Sequence, residues 1–189
     1  MQEELHLYKV DMKYDYHRAT LKDIDILVRT RVEVLRAANH LDDDVDMSEV
    51  EQASREYYMK ALQDGSHTAY LVYANGSCIG TGGISYYRVM PTYHIPTGRK
   101  AYIMNMYTKP EYRRQGIARK MLDLLIQDAR AQGIYDISLE ATDEGRLLYE
   151  NYGFVDMDCE MMIPRVECDD IRIGSVEDRS DIVSERDRQ

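Results

Sequence analysis

Apolar positions along this chain alternate between two periods, and each switch marks an element boundary. Residues 14–19 read as a first strand. Thr20-x-x-Asp23 then opens a helix whose stripe is Ile24, Leu27, Val28 and Leu35, and residues 39–46 form a loop. Ser48-x-x-Glu51 is a second capping box, followed by Val50, Ala53, Tyr57, Ala61 and Leu62 at helical spacing and by Gly65 as the stop. Residues 68–73 and 78–87 read as strands joined by Asn75-Gly76, the strongest hairpin signal in the chain. A loop with Pro91 and Pro96 leads to Tyr102-Ile103-Met104-Asn105-Met106-Tyr107-Thr108, a strand that Pro110 ends. Ile117, Ala118, Met121, Leu122, Leu125 and Ala129 predict an amphipathic helix, and Gly133 stands just past its last turn.

After Gly133 the spacing predicts a strand over 136–141, a short helix over 145–151 and one or two terminal strands within 154–164. Strand, helix and strand at this separation form a parallel crossover. The class is therefore α/β: a mixed central sheet with helices on both faces. Residues 1–13 are a polar extension without assigned structure. From Glu167 acidic residues mingle with arginines, which predicts a flexible tail, or else a peripheral element packed on the domain or on a second subunit.

The totals narrow the class further. At 189 residues the chain suits one domain with a sizeable core. A net charge of -10 argues against nonspecific nucleic-acid binding and is compatible with a cationic substrate. No apolar run is long enough to cross a membrane, and the start lacks a basic segment followed by an apolar one, so a cytoplasmic location is expected. Cys78, Cys159 and Cys168 lack metal-ligand spacing and read as reduced thiols. Asp42, Asp44 and Asp46 match three calcium-loop positions, but Met47 and Ala53 occupy the glycine and glutamate positions, so a solvated loop is expected and no metal. Gly80-Thr81-Gly82-Gly83 lies inside a strand with no helix after it, which predicts a bulge or close packing rather than a phosphate loop.

The chemistry concentrates between strand 102–108 and the helix from Ile117. Arg113, Arg114, Gln115, Gly116, Ile117, Ala118, Arg119 and Lys120 place cations and two minimal side chains at a helix start. There the backbone N–H groups lack intrahelical partners and the dipole favours an anion. A phosphate or diphosphate site follows; the other reading is a solvated basic helix start with a packing glycine. Neither Gly-x-Gly-x-x-Gly nor the P-loop is present.

Arg113-x-x-Gly116-x-Ala118 after a strand ending Met-Tyr-Thr-x-Pro resembles the acetyl-CoA signature of the GCN5-related N-acetyltransferase (GNAT) family. Leu148-Tyr149-Glu150-Asn151-Tyr152-Gly153-Phe154, following Ser138-Leu139-Glu140, resembles that family's C-terminal motif. The resemblance implies an N-acetyltransferase domain over 14–166 with the GNAT fold, in which two parallel strands splay apart at the cofactor. It implies acetyl-CoA as cosubstrate, with phosphates on Arg114, Gln115, Gly116, Ile117, Ala118 and Arg119 and the pantetheine arm along Met106, Tyr107 and Thr108. Ala118 stands where glycine is commoner, and Gly145-Arg146 where many relatives carry a cofactor-binding asparagine; Thr142 or Arg146 is the candidate replacement.

The same resemblance makes Tyr149 the general acid that protonates the departing thiolate, and Glu140 the base that takes a proton from the incoming ammonium, often through water. Glu33 on the first helix is a candidate acceptor contact, and Glu33 or a water held by Tyr107 is the alternative base. The expected reaction is direct attack of a primary amine, preferably of a small molecule, in a ternary complex. The alternatives are acetylation of a protein N-terminus or lysine, and a non-catalytic acyl-CoA sensor. Homodimers are common in the family and are a further expectation.

Overall fold

In a computed structural model, residues 14–157 and 160–161 are described. The described residues up to Phe154 belong to one compact unit. The extension over 1–13 and the tail over 167–189 lie outside the described residues, as do Cys159 and Cys168. From Val155 a second unit begins, of which the described residues form no helix or strand. The terminal strand expected from 154 therefore does not form over 154–157, and positions 158–159 and 162–164 lie outside the described residues.

The first unit is a five-stranded sheet in the order β1 (Asp15–Arg18), β2 (His67–Ala74), β3 (Ser77–Arg88), β4 (Arg99–Thr108), β5 (Asp136–Leu139). Only β4 and β5 run parallel. The Asn75-Gly76 turn forms as expected, both residues left-handed at φ 49° and 78°, which matches the twist of a two-residue hairpin. Helix α3 (Ile117–Ala131) crosses from β4 to β5 and buries Ile117, Met121, Leu122, Leu125, Ile126 and Ala129 on one face of the sheet. There they meet Tyr70, Val72, Ile84, Ala101 and Ile103. Helices α1 (Ile24–Asn39) and α2 (Ser48–Asp64) cover the other face, where Leu27, Val28 and Tyr58 pack on Ala69 and Leu71. Successive β2 residues thus feed opposite layers, as strand geometry requires. Helix α4 (Asp143–Tyr152) follows β5.

Two local expectations change. Thr20 and Asp23 form a reciprocal capping box as read, but around a single 3-10 turn, Leu21–Asp23, ahead of α1. Ser48 is not the cap of α2: Met47 holds that position, and the carboxylate of Asp46 accepts from the Ser48 amide at 2.9 Å instead. An aspartate two residues upstream satisfies the orphan amide as well as the serine would have.

The feature that positions the site is a bulge in β4. Gly83 pairs with Met104, and Thr81 with Tyr107, so β4 carries one residue more than β3 over that span. Asn105 absorbs it at φ 58°. The Gly80–Gly83 run is the facing strand, and it is closely packed as expected. A Cβ on Gly80 would stand 2.9 Å from the Tyr107 carbonyl oxygen, and one on Gly82 2.7 Å from Met106 Sδ. Parallel pairing of β4 with β5 stops at Ile103 and Leu139. Beyond it β4 runs on to Thr108, whereas the chain after β5 turns away into α4. The strands splay, and among the described residues the last five positions of β4 have no strand on that edge.

Candidate active site

The splay opens into a cleft of about 660 Å³. Its walls are the end of β4 (Met106, Tyr107, Thr108), the turn and first residues of α3 (Arg113, Arg114, Gly116, Ile117, Ala118, Arg119), α4 with the residue before it (Thr142, Gly145, Leu148, Tyr149), and the last turns of α1 (Val34, Ala37, Ala38) with His40.

Its mouth is the start of α3. Gly116 is the N-cap at φ 80°, and Arg114 is left-handed too, at φ 62°. A Cβ on Gly116 would meet nothing within 4 Å, so the absent side chain leaves open space over the helix end. Lys120 is the first amide of α3 with a backbone acceptor, the Gly116 carbonyl at 3.0 Å; among the described residues Ile117, Ala118 and Arg119 have none. The other helices place acids in their first turns: Asp25 in α1, Glu49 and Glu51 in α2, Asp143 and Glu144 in α4. In α3 there is no acid and no side-chain cap. A basic helix start without a cap or an acid attracts an anion. Deeper in, Thr108 Oγ1 is buried without a hydrogen-bond partner among the described residues, on the wall where a ligand would supply one. The donors, the open mouth and the unpaired strand edge fit the diphosphate and amide-bearing arm of coenzyme A.

Arg113 holds the walls together. Its Nε donates to the Thr108 carbonyl at 3.1 Å, and its Nη1 reaches Glu144 Oε2 at 3.4 Å. Arg119 lies over the Tyr152 ring, 5.4 Å from its centroid, and the Tyr152 hydroxyl donates to Asp123 at 2.8 Å. These contacts tie α3 to α4. Gln115 is the one phosphate candidate that does not line the cleft; its side chain accepts from the Tyr14 hydroxyl.

Tyr149 sits on the α4 wall, 9% exposed, its ring edge-on to Phe154 with centroids 6.0 Å apart. Burial raises its pKa above the ordinary value, so the phenol stays protonated throughout the neutral range. Gly145 explains itself here: a Cβ would stand 3.1 Å from the Tyr149 ring, so a bulkier residue would press on it. Thr142 lines the cleft and caps α4, accepting from the Gly145 amide at 3.3 Å. Arg146 instead pairs with Glu150 at 3.6 Å.

Met106 packs toward Met121 of α3, whereas its neighbour Asn105 accepts from Arg31 of α1 at 3.3 Å, so these two side chains serve opposite layers. Two carboxylates are not brought to the cleft. Glu140 is exposed just past β5 and hydrogen-bonds Tyr102; burial and then the Glu140 charge raise that phenol's pKa. Glu33 is not among the lining residues and faces Arg29 at 4.0 Å. The sequence reading missed the α1 wall. Ala37-Ala38 one turn beyond Val34 was the available signal, since small residues at the end of an apolar stripe leave room for a ligand. Among the described residues no group of three His, Cys, Asp or Glu could hold a metal ion.

The sequence profile of the acetyltransferase (GNAT) family matches residues 34–154. A predicted acetyltransferase of Clostridium acetobutylicum, crystallised with acetyl-CoA, superposes with a TM-score of 0.74 at 34% identity, covering 80% of this chain and 96% of the other. A GCN5-related N-acetyltransferase of Ralstonia eutropha JMP134 shares the fold, with a TM-score of 0.71 at 23% identity over 80% and 98% of the two chains. The thialysine N-epsilon-acetyltransferase of Sus scrofa is 34% identical over 85 residues, 43% of this chain and 48% of that protein, so the match spans about half the length of the curated relative. No helix among the described residues is long and apolar enough to cross a membrane. With the family profile covering strand, cofactor mouth and tyrosine motif together, and a 34%-identical relative solved with acetyl-CoA, this chain belongs to the GNAT family of acetyl-CoA-dependent N-acetyltransferases.

Proposed function

We propose that this protein transfers the acetyl group of acetyl-CoA to a primary amine of a small molecule by direct attack in a ternary complex. The observation that carries the reading is the continuity of one cleft from the anion-binding start of α3, along the unpaired edge of β4, to Tyr149. The cosubstrate supplies an activated acyl group on sulfur. The amides of Ile117, Ala118 and Arg119, with Arg114, hold its phosphates. The free edge of β4 at Met106–Thr108 aligns its arm and offers an N–H to the acyl oxygen, a contribution of about 3 kcal/mol to the barrier for donors of this kind.

The incoming ammonium loses its proton to solvent water, since neither Glu140 nor Glu33 lines the cleft. The freed nitrogen forms the new N–C bond, the C–S bond breaks, and the Tyr149 hydroxyl gives its proton to the leaving sulfur. Burial of Tyr149 supports this role, because a phenol that stays protonated is ready to donate. The curated relative is named for an amine carried on an amino acid, which favours a small-molecule acceptor over a polypeptide.

Thiol release from acetyl-CoA across an amine panel tests the proposal. Release with at least one small amine is expected, and Tyr149→Phe should lower kcat by at least about a hundredfold, the low end of what a positioned acid contributes, with coenzyme A affinity unchanged. Tight coenzyme A binding with no release across the panel would make the protein a sensor and refute the enzyme.

A further inference from the structure

The face of the sheet opposite α3 carries a polar cluster that the cofactor cleft does not use. Tyr57 Oη lies 2.7 Å from Ser85 Oγ and 3.1 Å from His67 Nδ1, and Ser85 Oγ lies 3.0 Å from His67 Nδ1. The Tyr57 and Tyr58 rings stand edge-on to His67, with centroids 5.4 and 5.6 Å away. Ser85 reaches Met104 Sδ at 3.7 Å, which sets the cluster against β4 just before its bulge. Every one of these groups is neutral at pH 7: burial pushes His67 down to about 4 and Tyr58 up to about 12.

One charge enters this neutral ground. Arg31, on the sheet-facing side of α1, is half-buried and donates from Nη1 to Asn105 Oδ1 at 3.3 Å. Its field reaches Tyr57, Tyr58 and His67. Among the described residues no carboxylate lies within 4.0 Å of it. The two acids of α1 are paired elsewhere, Glu33 with Arg29 and Asp25 with Arg55, and Asp64 at the end of α2 accepts from the Ser66 amide. A half-buried guanidinium with five donors and one neutral acceptor is an unfinished interaction.

Its place says what would finish it. Arg31 lies three residues before Val34, on the stripe that continues into the cleft wall. Asn105, its acceptor, is the bulge residue beside Met106 and Tyr107, which line the cleft where the acyl group would lie. The free donors of Arg31 therefore stand on the α1/α2 side of the reacting segment, across β4 from α3.

We propose that Arg31 anchors a carboxylate of the acceptor, so that the substrate is an amine that also carries a carboxylate, of amino-acid type, rather than a plain alkylamine or polyamine. The proposal rests on the N-acetyltransferase reading and names the substrate class of that site. A planar guanidinium takes a carboxylate through two parallel N–H bonds, which fixes orientation as well as position. The same charge repels a second ammonium, so polyamines are disfavoured. With the carboxylate on Arg31, an acceptor's amine is left to reach toward β4.

The test uses matched pairs in which only the carboxylate differs: 4-aminobutanoate, 5-aminopentanoate and 6-aminohexanoate against butylamine, pentylamine and hexylamine. Binding to the coenzyme A complex is read by calorimetry, and turnover by thiol release from acetyl-CoA. The best carboxylate should bind at least about tenfold more tightly than its alkyl counterpart, the scale of one charge-assisted pair. Arg31→Gln should collapse that ratio toward one through KM rather than kcat, and Arg31→Lys should keep part of it. Coenzyme A affinity in each variant reports that the fold is intact. No preference at any length in the wild type, or a preference that survives Arg31→Gln, overturns the anchor. Preferential carboxylate binding without thiol release would sink acetyl transfer and leave the anchor standing. Equal release from both members of each pair would do the reverse.

Discussion

Gly116 is the most exposed test of the cofactor assignment, because its two variants separate charge from shape. The residue is left-handed at φ 80°, and a Cβ there meets nothing within 4 Å. Any side chain therefore costs about 1 kcal/mol in backbone strain, without a clash. Gly116→Gln and Gly116→Glu share that cost and differ by one negative charge at the helix mouth. A carboxylate about 6 Å from a phosphate repels it by about 3 kcal/mol at an effective dielectric of about 20, and salt screening at an exposed site roughly halves this. About 1.4 kcal/mol is about tenfold. Calorimetric titration should thus show coenzyme A binding to Gly116→Glu at least about tenfold more weakly than to Gly116→Gln, with the gap widening as salt is lowered. Gly133→Ala is the control: it is left-handed at φ 72°, equally open, and at the other end of α3, so it should lose similar stability and no affinity. Equal affinity of the Glu and Gln variants at low salt would refute a phosphate at this mouth.

Other consequences are equally open to measurement. In Gly80→Ala the new Cβ meets the Tyr107 carbonyl at 2.9 Å, and a backbone atom has little room to yield. A stability loss of about 1–3 kcal/mol in denaturant titration is expected, with a raised KM for acetyl-CoA, because the displaced segment is the cofactor wall. His67 is neutral in the fold with its pKa held at about 4, against 6.5 for an ordinary histidine, chiefly by burial and then by Arg31. A folded value below the unfolded one means the stability is present above pH 6.5 and lost as pH falls toward 4. The scale is about 3 kcal/mol. Denaturant titrations across that window should show the loss, and His67→Gln should flatten it; an unchanged slope would remove the assignment. Tyr149 titrates above its ordinary value because it is buried. Loss of activity between pH 7 and 9 that is absent in Tyr149→Phe would contradict a protonated phenol there.

Much of this molecule was legible in the residue order, for reasons that are local. Asn75-Gly76 made its hairpin because two successive left-handed residues are cheap in such a pair. The stripe of α3, the glycine ends of α2 and α3, and the uncapped basic start at Gly116 depend on contacts a few residues apart. The two motifs that identify the family sit on such elements, so cofactor chemistry could be read early. What needed the tertiary structure depends on residues far apart in the chain. The β4 bulge exists only through its pairing with the Gly80–Gly83 stretch, and it turns Asn105 toward α1. The exposure of Glu140 follows from where β5 stops. Arg31 looks like any helical arginine in sequence. Only packing removes its carboxylate partners, surrounds it with neutral rings and aims it at the bulge, because burial and charge environment are properties of what folds around a residue.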